Sequence, residues 1–226
     1  WAEKEIRSIY NKVGIGIARP LLAVAGQYGM PSSSLYLARM LLNSAGLTFH
    51  SGLYPESPWE PLDGYTVDRA LVNAFIRQES AFRTNARSVD GARGPMQLMP
   101  STASFITNDS TLKNKNAELL YLPEKNIQIG QKYLLHLMND NNFKDNILLV
   151  VAAYNGGPGN LNRWTNSMGL VTGPLIFIEK IPVTETRNFV SKIFSNLWIY
   201  RSLLEQKNPI LDSIASNKWP IYYRLD

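Results

Sequence analysis

Apolar residues recur at intervals of three or four along almost the whole chain, which is the spacing of one face of an α-helix. No segment shows a sustained alternation of apolar and polar residues, the pattern of a half-buried β-strand. Glycines and prolines separate the helical stretches. The sequence therefore predicts an all-α fold, with one short hairpin between residues 83 and 95 left open as an exception.

The first 60 residues contain three helical stretches and a linker. The stretches are AEKEIRSIYNKV, ARPLLAVAGQYG and SSSLYLARMLLNSAG, and Ser32 to Ser34 are predicted to supply the N-cap of the third helix. Residues 50–65 hold three prolines and two glycines and lack periodicity, as expected of a linker. We predict two parts: residues 1–60, an N-terminal helical segment with its linker, and residues 61–226, a helical domain.

The second part contains six segments with helical spacing, two of which begin next to a proline suited to a first turn, Pro100 and Pro158. The segments are TVDRALVNAFIRQES, STASFI, PEKNIQIGQKYLLHLMNDN, FKDNILLVVAAYN, PGNLNRWTNSM and VTETRNFVSKIFSNLWIYRSLLEQ. The last of these is the most strongly amphipathic.

The composition excludes several kinds of site. The 226 residues include no cysteine, which excludes disulfides, thiolate metal sites and a cysteine nucleophile. His50 and His136 lie far apart and neither has a second histidine at ligand spacing, so we predict no metal and no cofactor. The net charge of +5 comes from scattered residues rather than runs of Lys and Arg, so we predict no nucleic-acid partner. No apolar run approaches the roughly 18 residues of a transmembrane helix.

One acidic residue interrupts an apolar helix face. Val67, Leu71, Phe75 and Glu79 recur every four residues, so Glu79 lies on the buried face in the last turn. Burial raises the pKa of a carboxyl group, and the negative end of the helix dipole acts in the same direction. A carboxylic acid that stays protonated near neutral pH is suited to act as a general acid.

The start of this helix and the alternative role of its glutamate depend on neighbouring polar residues. Thr66 is predicted to be the N-cap, with Asp68 in the first turn. The alternative for Glu79 is a surface role, in which it extends to solvent or pairs with Arg77 or Arg83.

Two further segments combine a tight backbone with polar side chains. In GARGPMQLMPSTA, two glycines and a proline precede Gln97, whose amide offers both a donor and an acceptor. In VVAAYNGGPGN, an apolar helix ends in Tyr154 and Asn155 before two glycines, an arrangement suited to binding sugars. The alternatives are a Met-rich core plug and an ordinary glycine C-cap, respectively.

Four motifs, in order and spacing, resemble those of the soluble lytic transglycosylases of the bacterial cell wall. They are ESAF, GPMQLMPSTA, AAYNGGPGN and IEKIPVTETRNFV. The resemblance covers residues 66 to about 205 and implies a lysozyme-like, mostly helical catalytic domain within residues 61–226. It weakens over the first 60 residues, which resemble the end of the superhelical region that precedes this domain in longer members.

The resemblance also implies a mechanism with a single catalytic glutamate. Most glycosidases use two carboxylates, but the nearest acid after Glu79 is Asp90, in a glycine-flanked loop, and no partner carboxylate is evident from the sequence. In this family one Glu protonates the glycosidic oxygen between N-acetylmuramic acid and N-acetylglucosamine. The same residue then accepts the proton of the muramic C6 hydroxyl as a 1,6-anhydro ring closes. Glu79 is the residue expected in this role.

The same family implies the residues that bind substrate. Met96 and Gln97 are expected to line the cleft, and Tyr154 and Asn155 to position the saccharide near the acid. Glu179 resembles an acidic residue that contacts substrate, with a surface position beside a lysine as its alternative.

Three residues of the last motif are expected to have roles other than binding substrate. Glu185 and Arg187 are expected to form structural hydrogen bonds. Phe189 stands where the family commonly has Tyr, and Tyr154 is a candidate to replace the missing hydroxyl. Pro95 stands where Leu is common, which stiffens the loop without removing the glutamine.

Two rival functions stay open: a lysozyme-type hydrolase on the same fold, and a non-catalytic peptidoglycan-binding module. The resemblance implies peptidoglycan glycan strands as the partner and a periplasmic or cell-envelope location. The chain begins at Trp1 without a Met or a signal peptide, which we interpret as a processed or truncated product.

Overall fold

The computed structural model describes residues 1–168 and 173–226. These residues form twelve α-helices and three short 3-10 helices. They contain no β-sheet, only isolated bridges such as those pairing Arg87 with Arg93 and Arg93 with Leu98. The predicted all-α fold is confirmed, and the segment between residues 83 and 95 is a bridged loop rather than a hairpin of two strands.

Four helices form the N-terminal segment. They are α1 (Ala2–Val13), α2 (Ala18–Gln27), α3 (Pro31–Ala45) and α4 (His50–Leu53), with a 3-10 helix at Ile15–Ile17. Their apolar faces pack into a small core of their own.

The predicted serine N-cap of α3 is wrong. Pro31 occupies the first turn and Met30 precedes it without a side-chain cap. The three serines lie inside the helix and are buried, and two of them form hydrogen bonds with α1. Ser32 Oγ accepts a hydrogen bond from Arg7 at 2.8 Å, and the Ser33 N–H donates to the Glu3 carboxylate at 3.3 Å.

The predicted linker begins with α4 and then runs without regular structure as far as Asp68. Trp59 and Tyr65 pack against the main core, and Tyr54 packs against both this core and the N-terminal one. The linker therefore adheres to the second part of the chain, and the predicted boundary at residue 60 falls inside it.

Eight helices follow the linker. They are α5 (Arg69–Glu79), α6 (Pro100–Thr107), α7 (Pro123–Met138), α8 (Ile147–Gly156), α9 (Pro158–Met168), α10 (Pro174–Lys180), α11 (Thr184–Leu203) and α12 (Pro209–Ala215), with 3-10 helices at Ser110–Lys113 and Ala117–Tyr121. The two predicted proline starts, at Pro100 and Pro158, are confirmed. The helix predicted from residue 143 begins at Ile147, because the Asn146 side chain caps the N–H groups of Leu148 and Leu149.

Helices α5, α8 and α11 form the centre of the main core. The residues of α8 from Ile147 to Ala153 are all buried, as expected of a helix that is apolar on every side. Helix α11 packs along α5 and also contacts α8. The C-terminal ends of α5 and α8 and the N-terminal half of α11 are thereby brought to one place.

A buried ion pair joins α5 to α11. Arg201 Nη2 donates to Asp68 Oδ2 at 2.7 Å, and both side chains are fully buried. Asp68 is also the N-cap of α5, since its Oδ1 accepts from the Ala70 N–H at 2.9 Å. The predicted cap, Thr66, is therefore wrong; its N–H donates to Gln131 Oε1 on α7 at 2.9 Å.

Candidate active site

Glu79 is the last residue of α5, where the sequence predicted it. Ser80 ends the helix with an N–H···O bond to Ile76, and the next two residues, Ala81 and Phe82, both have positive φ, 50° and 62°. Left-handed backbone is strained for a bulky residue, and the buried Phe82 ring fixes it here. This sharp turn carries the chain away from the helix axis and leaves Glu79 at the edge of an open space.

That space is a cavity of about 530 Å³, within the size range of ligand sites. The helical side of the cavity is lined by Gln78, Glu79, Tyr154 and Asn155, and by Glu185, Asn188, Phe189 and Lys192 of α11. The opposite side belongs to the loop between α5 and α6 and is lined by Ser88, Asp90, Ala92, Gln97 and Met99. The structure therefore brings the three predicted segments together around Glu79.

The environment of Glu79 favours its protonated form. Burial raises the pKa of Glu79 to about 8, and the nearby Glu185 carboxylate acts in the same direction. The residue keeps a partly exposed surface toward the cavity, while its carboxyl group is closely surrounded by protein. A group with this pKa is largely protonated at neutral pH and able to give up its proton.

The alternative role, a surface pairing with arginine, is wrong. Arg77 donates to the Leu53 carbonyl at 2.9 Å and to Asn196 Oδ1 at 2.7 Å, and Arg83 donates to the Ser80 carbonyl at 3.0 Å. Over residues 1–168 and 173–226, Glu79 has no ion pair. In the same ranges, no group of three or more His, Cys, Asp or Glu side chains is placed to hold a metal ion.

Tyr154 connects the core to the cavity. Its ring packs on Phe75 and Tyr133, with centroids 4.6 and 5.1 Å away. Its hydroxyl donates to the Met96 carbonyl at 2.8 Å, and burial, followed by the charge of Glu79, raises its pKa. Since the hydroxyl proton points at Met96, Tyr154 does not donate a hydrogen bond to Glu79. A role for Tyr154 in place of the hydroxyl that Phe189 lacks stays a prediction.

Gln97 is bound into its own loop. It adopts a φ of 47°, and its amide nitrogen donates to the carbonyls of Ala86 at 3.1 Å and Gly94 at 2.8 Å. Both amide hydrogens are used in this way. The expectation that Gln97 offers a ligand both a donor and an acceptor is therefore half wrong, because only the carbonyl oxygen is available to the cavity.

Met96 does not line the cavity. Its side chain is fully buried and lies against Gly130, and its N–H donates to Asn126 Oδ1 at 2.8 Å. Met99, three residues later, is 37% exposed and lines the cavity instead. The expectation that Met96 lines the cleft is therefore wrong, and its burial agrees with the alternative of a core plug.

Asn155 is held by α11. Its side-chain oxygen accepts a hydrogen bond from Thr186 Oγ1 at 2.7 Å, which directs the amide N–H₂ group to other partners. Asn155 lines the cavity beside Tyr154, as the sequence predicted.

Of the two acidic residues Glu179 and Glu185, the structure places the second at the cavity and not the first. Glu179 is exposed, lies 4.0 Å from Arg187 Nη1 and is not among the residues that line the cavity. Glu185, for which we expected a structural hydrogen bond, does line it and raises the pKa of Glu79. The helical spacing of Glu185, Asn188 and Lys192 was a signal that could have identified this face.

An all-helical domain with a buried carboxyl group at a helix end, facing an open cavity that Asp90 and Glu185 also line, has the arrangement of the lysozyme-like enzymes. Residues 59–171, half of the chain, match the family described as the transglycosylase SLT domain, and the chain belongs to that family.

Relatives of known name agree with this assignment. The chain is 33% identical over 162 residues to the soluble lytic murein transglycosylase of Salmonella typhimurium, covering 71% of this chain and 24% of that protein. It is 35% identical over 157 residues to the membrane-bound lytic murein transglycosylase C of Edwardsiella ictaluri, covering 62% of this chain and 44% of that protein. The chain thus spans about a quarter of the length of the soluble relatives that it matches.

Solved structures confirm the lysozyme-like fold. The 70 kDa soluble lytic transglycosylase of Escherichia coli superposes with a TM-score of 0.78 at 24% identity, covering 98% of this chain and 35% of that one. The lytic transglycosylase Slt of Pseudomonas aeruginosa, solved as an inactive mutant with glutamine in place of a glutamate, gives 0.67 at 27% identity. That match covers 83% of this chain and 30% of the other.

Proposed function

We propose that this chain is the catalytic part of a peptidoglycan lytic transglycosylase, with Glu79 as its acid and base. The observation that carries the proposal is the enclosed Glu79 carboxyl group, with its pKa raised to about 8, at the wall of a cavity large enough for saccharide units. Family membership and the names of the relatives support the same reaction. So does the inactive Pseudomonas aeruginosa mutant, because a single Glu-to-Gln change is associated with loss of activity there.

In the first step, protonated Glu79 gives its proton to the oxygen that joins N-acetylmuramic acid to N-acetylglucosamine. The bond from the muramic C1 to this oxygen breaks, and the N-acetylglucosamine part leaves as an alcohol. The substrate's own N-acetyl carbonyl stabilises the positive C1. Glu79 is then a carboxylate, whose charge is disfavoured by burial and by Glu185.

In the second step, the Glu79 carboxylate accepts the proton of the muramic C6 hydroxyl. At the same time, the C6 oxygen forms a bond to C1. This closes the 1,6-anhydro ring, consumes no water and restores the protonated acid. A raised pKa serves both steps, because it makes the acid available first and the carboxylate a stronger base afterwards.

Three groups on the cavity wall are suited to hold the sugar. The amide N–H₂ of Asn155 and the carbonyl oxygen of Gln97 are oriented by their hydrogen bonds to the protein, and Met99 offers an apolar surface. Fixed polar groups of this kind orient a ligand at little entropic cost. A substrate contact by Glu179 stays a prediction. Because Glu179 does not line this cavity, it would contact a part of the glycan strand that lies outside it.

A hydrolase is the second candidate, and one observation favours it. The sequence offered no partner carboxylate, yet the structure places Asp90 and Glu185 in the same cavity as Glu79. A second carboxylate in such a site can activate water. The products separate the two reactions, since hydrolysis leaves a reducing muramic end and transglycosylation leaves a 1,6-anhydro end that is lighter by one water.

The experiment is mass spectrometry of the fragments released from purified peptidoglycan by the wild type, Glu79→Gln and Glu5→Gln. We expect 1,6-anhydro ends from the wild type and from Glu5→Gln, the matched control at an exposed position of α1, and none from Glu79→Gln. Reducing ends from the wild type would establish the hydrolase. Binding of peptidoglycan without any released fragment would establish the non-catalytic module.

A cell-envelope location follows from this substrate, and we propose it on that ground. The relatives include both soluble and membrane-bound transglycosylases. In the part of the chain that the structure describes, every helix is too short or too polar to cross a bilayer.

A further inference from the structure

An exposed aromatic pair stands on the surface formed by α6 and α7. The Phe105 side chain is 69% exposed, and the ring of His136 packs edge-to-face against it with centroids 5.3 Å apart. A phenylalanine ring contributes to folding only when it is covered. This pair therefore contributes little to the core and is free to contact a ligand.

A hollow lies on each side of the pair. One, of about 370 Å³, is lined by Phe105 and His136 together with Ile106, Lys132, Leu135 and Asn139. The other, of about 270 Å³, is lined by Phe105 and His136 together with Ser101, Thr102, Tyr133 and Pro158. Both hollows share the two rings, so the pair forms a raised platform between two concave surfaces.

Two chain segments link the platform to the Glu79 cavity. Met99 lines that cavity and Ser101, two residues later, lines the smaller hollow. Asn155 lines the cavity, and Pro158, three residues later, lines the same hollow. The ring of Tyr133, which lines that hollow, also contacts the ring of Tyr154, which lines the cavity, with centroids 5.1 Å apart. The two sites are therefore neighbours.

The chemistry of the platform suits a sugar ring that carries an acidic substituent. The aromatic faces offer an apolar surface to the C–H face of a pyranose. Ser101 and Thr102 can exchange hydrogen bonds with sugar hydroxyls. Lys132 lines the far hollow and offers a positive charge there that its 3.5 Å ion pair with the exposed Asp63 partly neutralises.

We propose that the Phe105–His136 platform is an accessory binding site for a saccharide unit of the same glycan strand whose cleavage takes place at Glu79. The proposal rests on the proposed function for the identity of the polymer. The platform adds contacts to a long strand and none to a short fragment held inside the cavity, because two linked contacts reinforce each other only when one molecule reaches both.

The experiment measures binding in the Glu79→Gln background, which removes turnover. Two probes are used: long glycan strands without stem peptides, and the N-acetylglucosaminyl–N-acetylmuramic acid disaccharide. We expect Phe105→Ala to weaken binding of the long strands about tenfold, as for loss of one aromatic anchor, and to leave disaccharide binding unchanged. His136→Ala should give a smaller loss with the same dependence on length.

Tyr28→Ala is the matched control, since Tyr28 is 65% exposed on the N-terminal segment, and it should change neither affinity. Circular dichroism and thermal unfolding confirm that each variant is folded. An equal loss for both probes, or no loss for the long strands, would overturn the accessory site. So would dimerisation of the wild-type chain that Phe105→Ala abolishes while strand binding persists.

The experiments test the proposed reaction and the proposed accessory site independently. If the wild type yields no anhydro ends but Phe105→Ala still shows the dependence on length, the platform stands and the reaction is wrong. If anhydro ends form and no dependence on length is found, the reaction stands and the platform is wrong.

Discussion

Glu79 ends a helix whose interior is apolar, and burial rather than a positive partner sets its chemistry. Its pKa is raised to about 8 first by burial and second by Glu185. The nearby arginines donate hydrogen bonds to backbone carbonyls and to Asn196 rather than to the Glu79 carboxyl group. A single acid can therefore be kept protonated at neutral pH by its position in the fold.

The pH dependence of the rate should report this pKa. Because protonated Glu79 starts the reaction, kcat/KM of the wild type is expected to fall as the pH rises through about 8. Glu185→Gln removes a negative charge that disfavours ionisation, so the fall should begin at a lower pH. The midpoint should still lie above the ordinary value of 4.5, because burial is the larger cause. A pH profile of kcat/KM checks this, with Glu5→Gln, at an exposed position of α1, as the control that leaves the midpoint in place.

The same pKa makes Glu79 unfavourable for stability at neutral pH. Between 4.5 and about 8, the folded state holds a proton that the unfolded chain has released, so the free energy of unfolding falls as the pH rises across this interval. Glu79→Gln should therefore stabilise the protein by on the order of 1–3 kcal/mol at pH 8, a figure reduced from the full shift because the residue partly faces the cavity. Near pH 4 the gain should vanish. Urea unfolding at both pH values tests this, and an equal gain at each would assign the effect to packing.

The choice between Met96 and Met99 shows what the sequence could not predict at this scale. Both lie in one apolar stretch, and composition alone makes either a wall of the cleft. The left-handed backbone of Gln97 turns the chain between them, so that Met96 enters the core and Met99 faces the cavity. Such a turn at a non-glycine residue has no strong local signal.

At the scale of elements, the sequence predicted the helix starts that depend on neighbouring residues. It missed the helix starts that depend on contacts with distant parts of the chain. Pro100 and Pro158 begin helices as expected, because a fixed φ suits a first turn. Thr66 and Asp68 are both residue types that cap helices, and the Thr66 N–H is held by Gln131 of the distant helix α7 while Asp68 caps α5. Helices α10 and α12, with seven residues each, are too short to show a period.

The loop that carries Gln97 depends on one close backbone approach. Gly94 has a φ of 77°, and a Cβ there would lie against the Leu120 carbonyl and the Asn126 amide. Gly94→Ala should lower the free energy of unfolding by roughly 3 kcal/mol or more, since left-handed strain and a backbone clash combine. It should also reduce kcat/KM, because the Gly94 carbonyl holds the Gln97 amide.

Gly91→Ala, in the same loop, is the matched control. Gly91 has a φ of 92°, but nothing lies within 4 Å of its added Cβ, so only the conformational penalty of about 1–2 kcal/mol applies. Urea unfolding and steady-state kinetics on both variants compare the two positions. Equal effects would show that the approach to Leu120 does not restrict this loop.

At the scale of the molecule, two cores share one helix. Leu35 and Leu37 both lie in α3 and both are fully buried, but Leu35 belongs to the main core around α5, α8 and α11, whereas Leu37 belongs to the N-terminal core. Tyr54 packs against both. The N-terminal helices therefore reach the catalytic helix through a small number of side chains.

Truncating each leucine should separate the two cores. Replacing a buried leucine with alanine lowers the free energy of unfolding by about 2–5 kcal/mol. The destabilisation should be greatest in the helices that the leucine contacts. We expect Leu35→Ala to reduce hydrogen-exchange protection in α5 and α11, and Leu37→Ala to reduce it in α1, α2 and α3 while Glu79 stays in place and kcat/KM is unchanged. Exchange measured by mass spectrometry distinguishes the two patterns. If both variants lose protection equally throughout the chain, the two cores unfold as one cooperative unit, and the N-terminal helices are part of the catalytic fold rather than a segment docked on it.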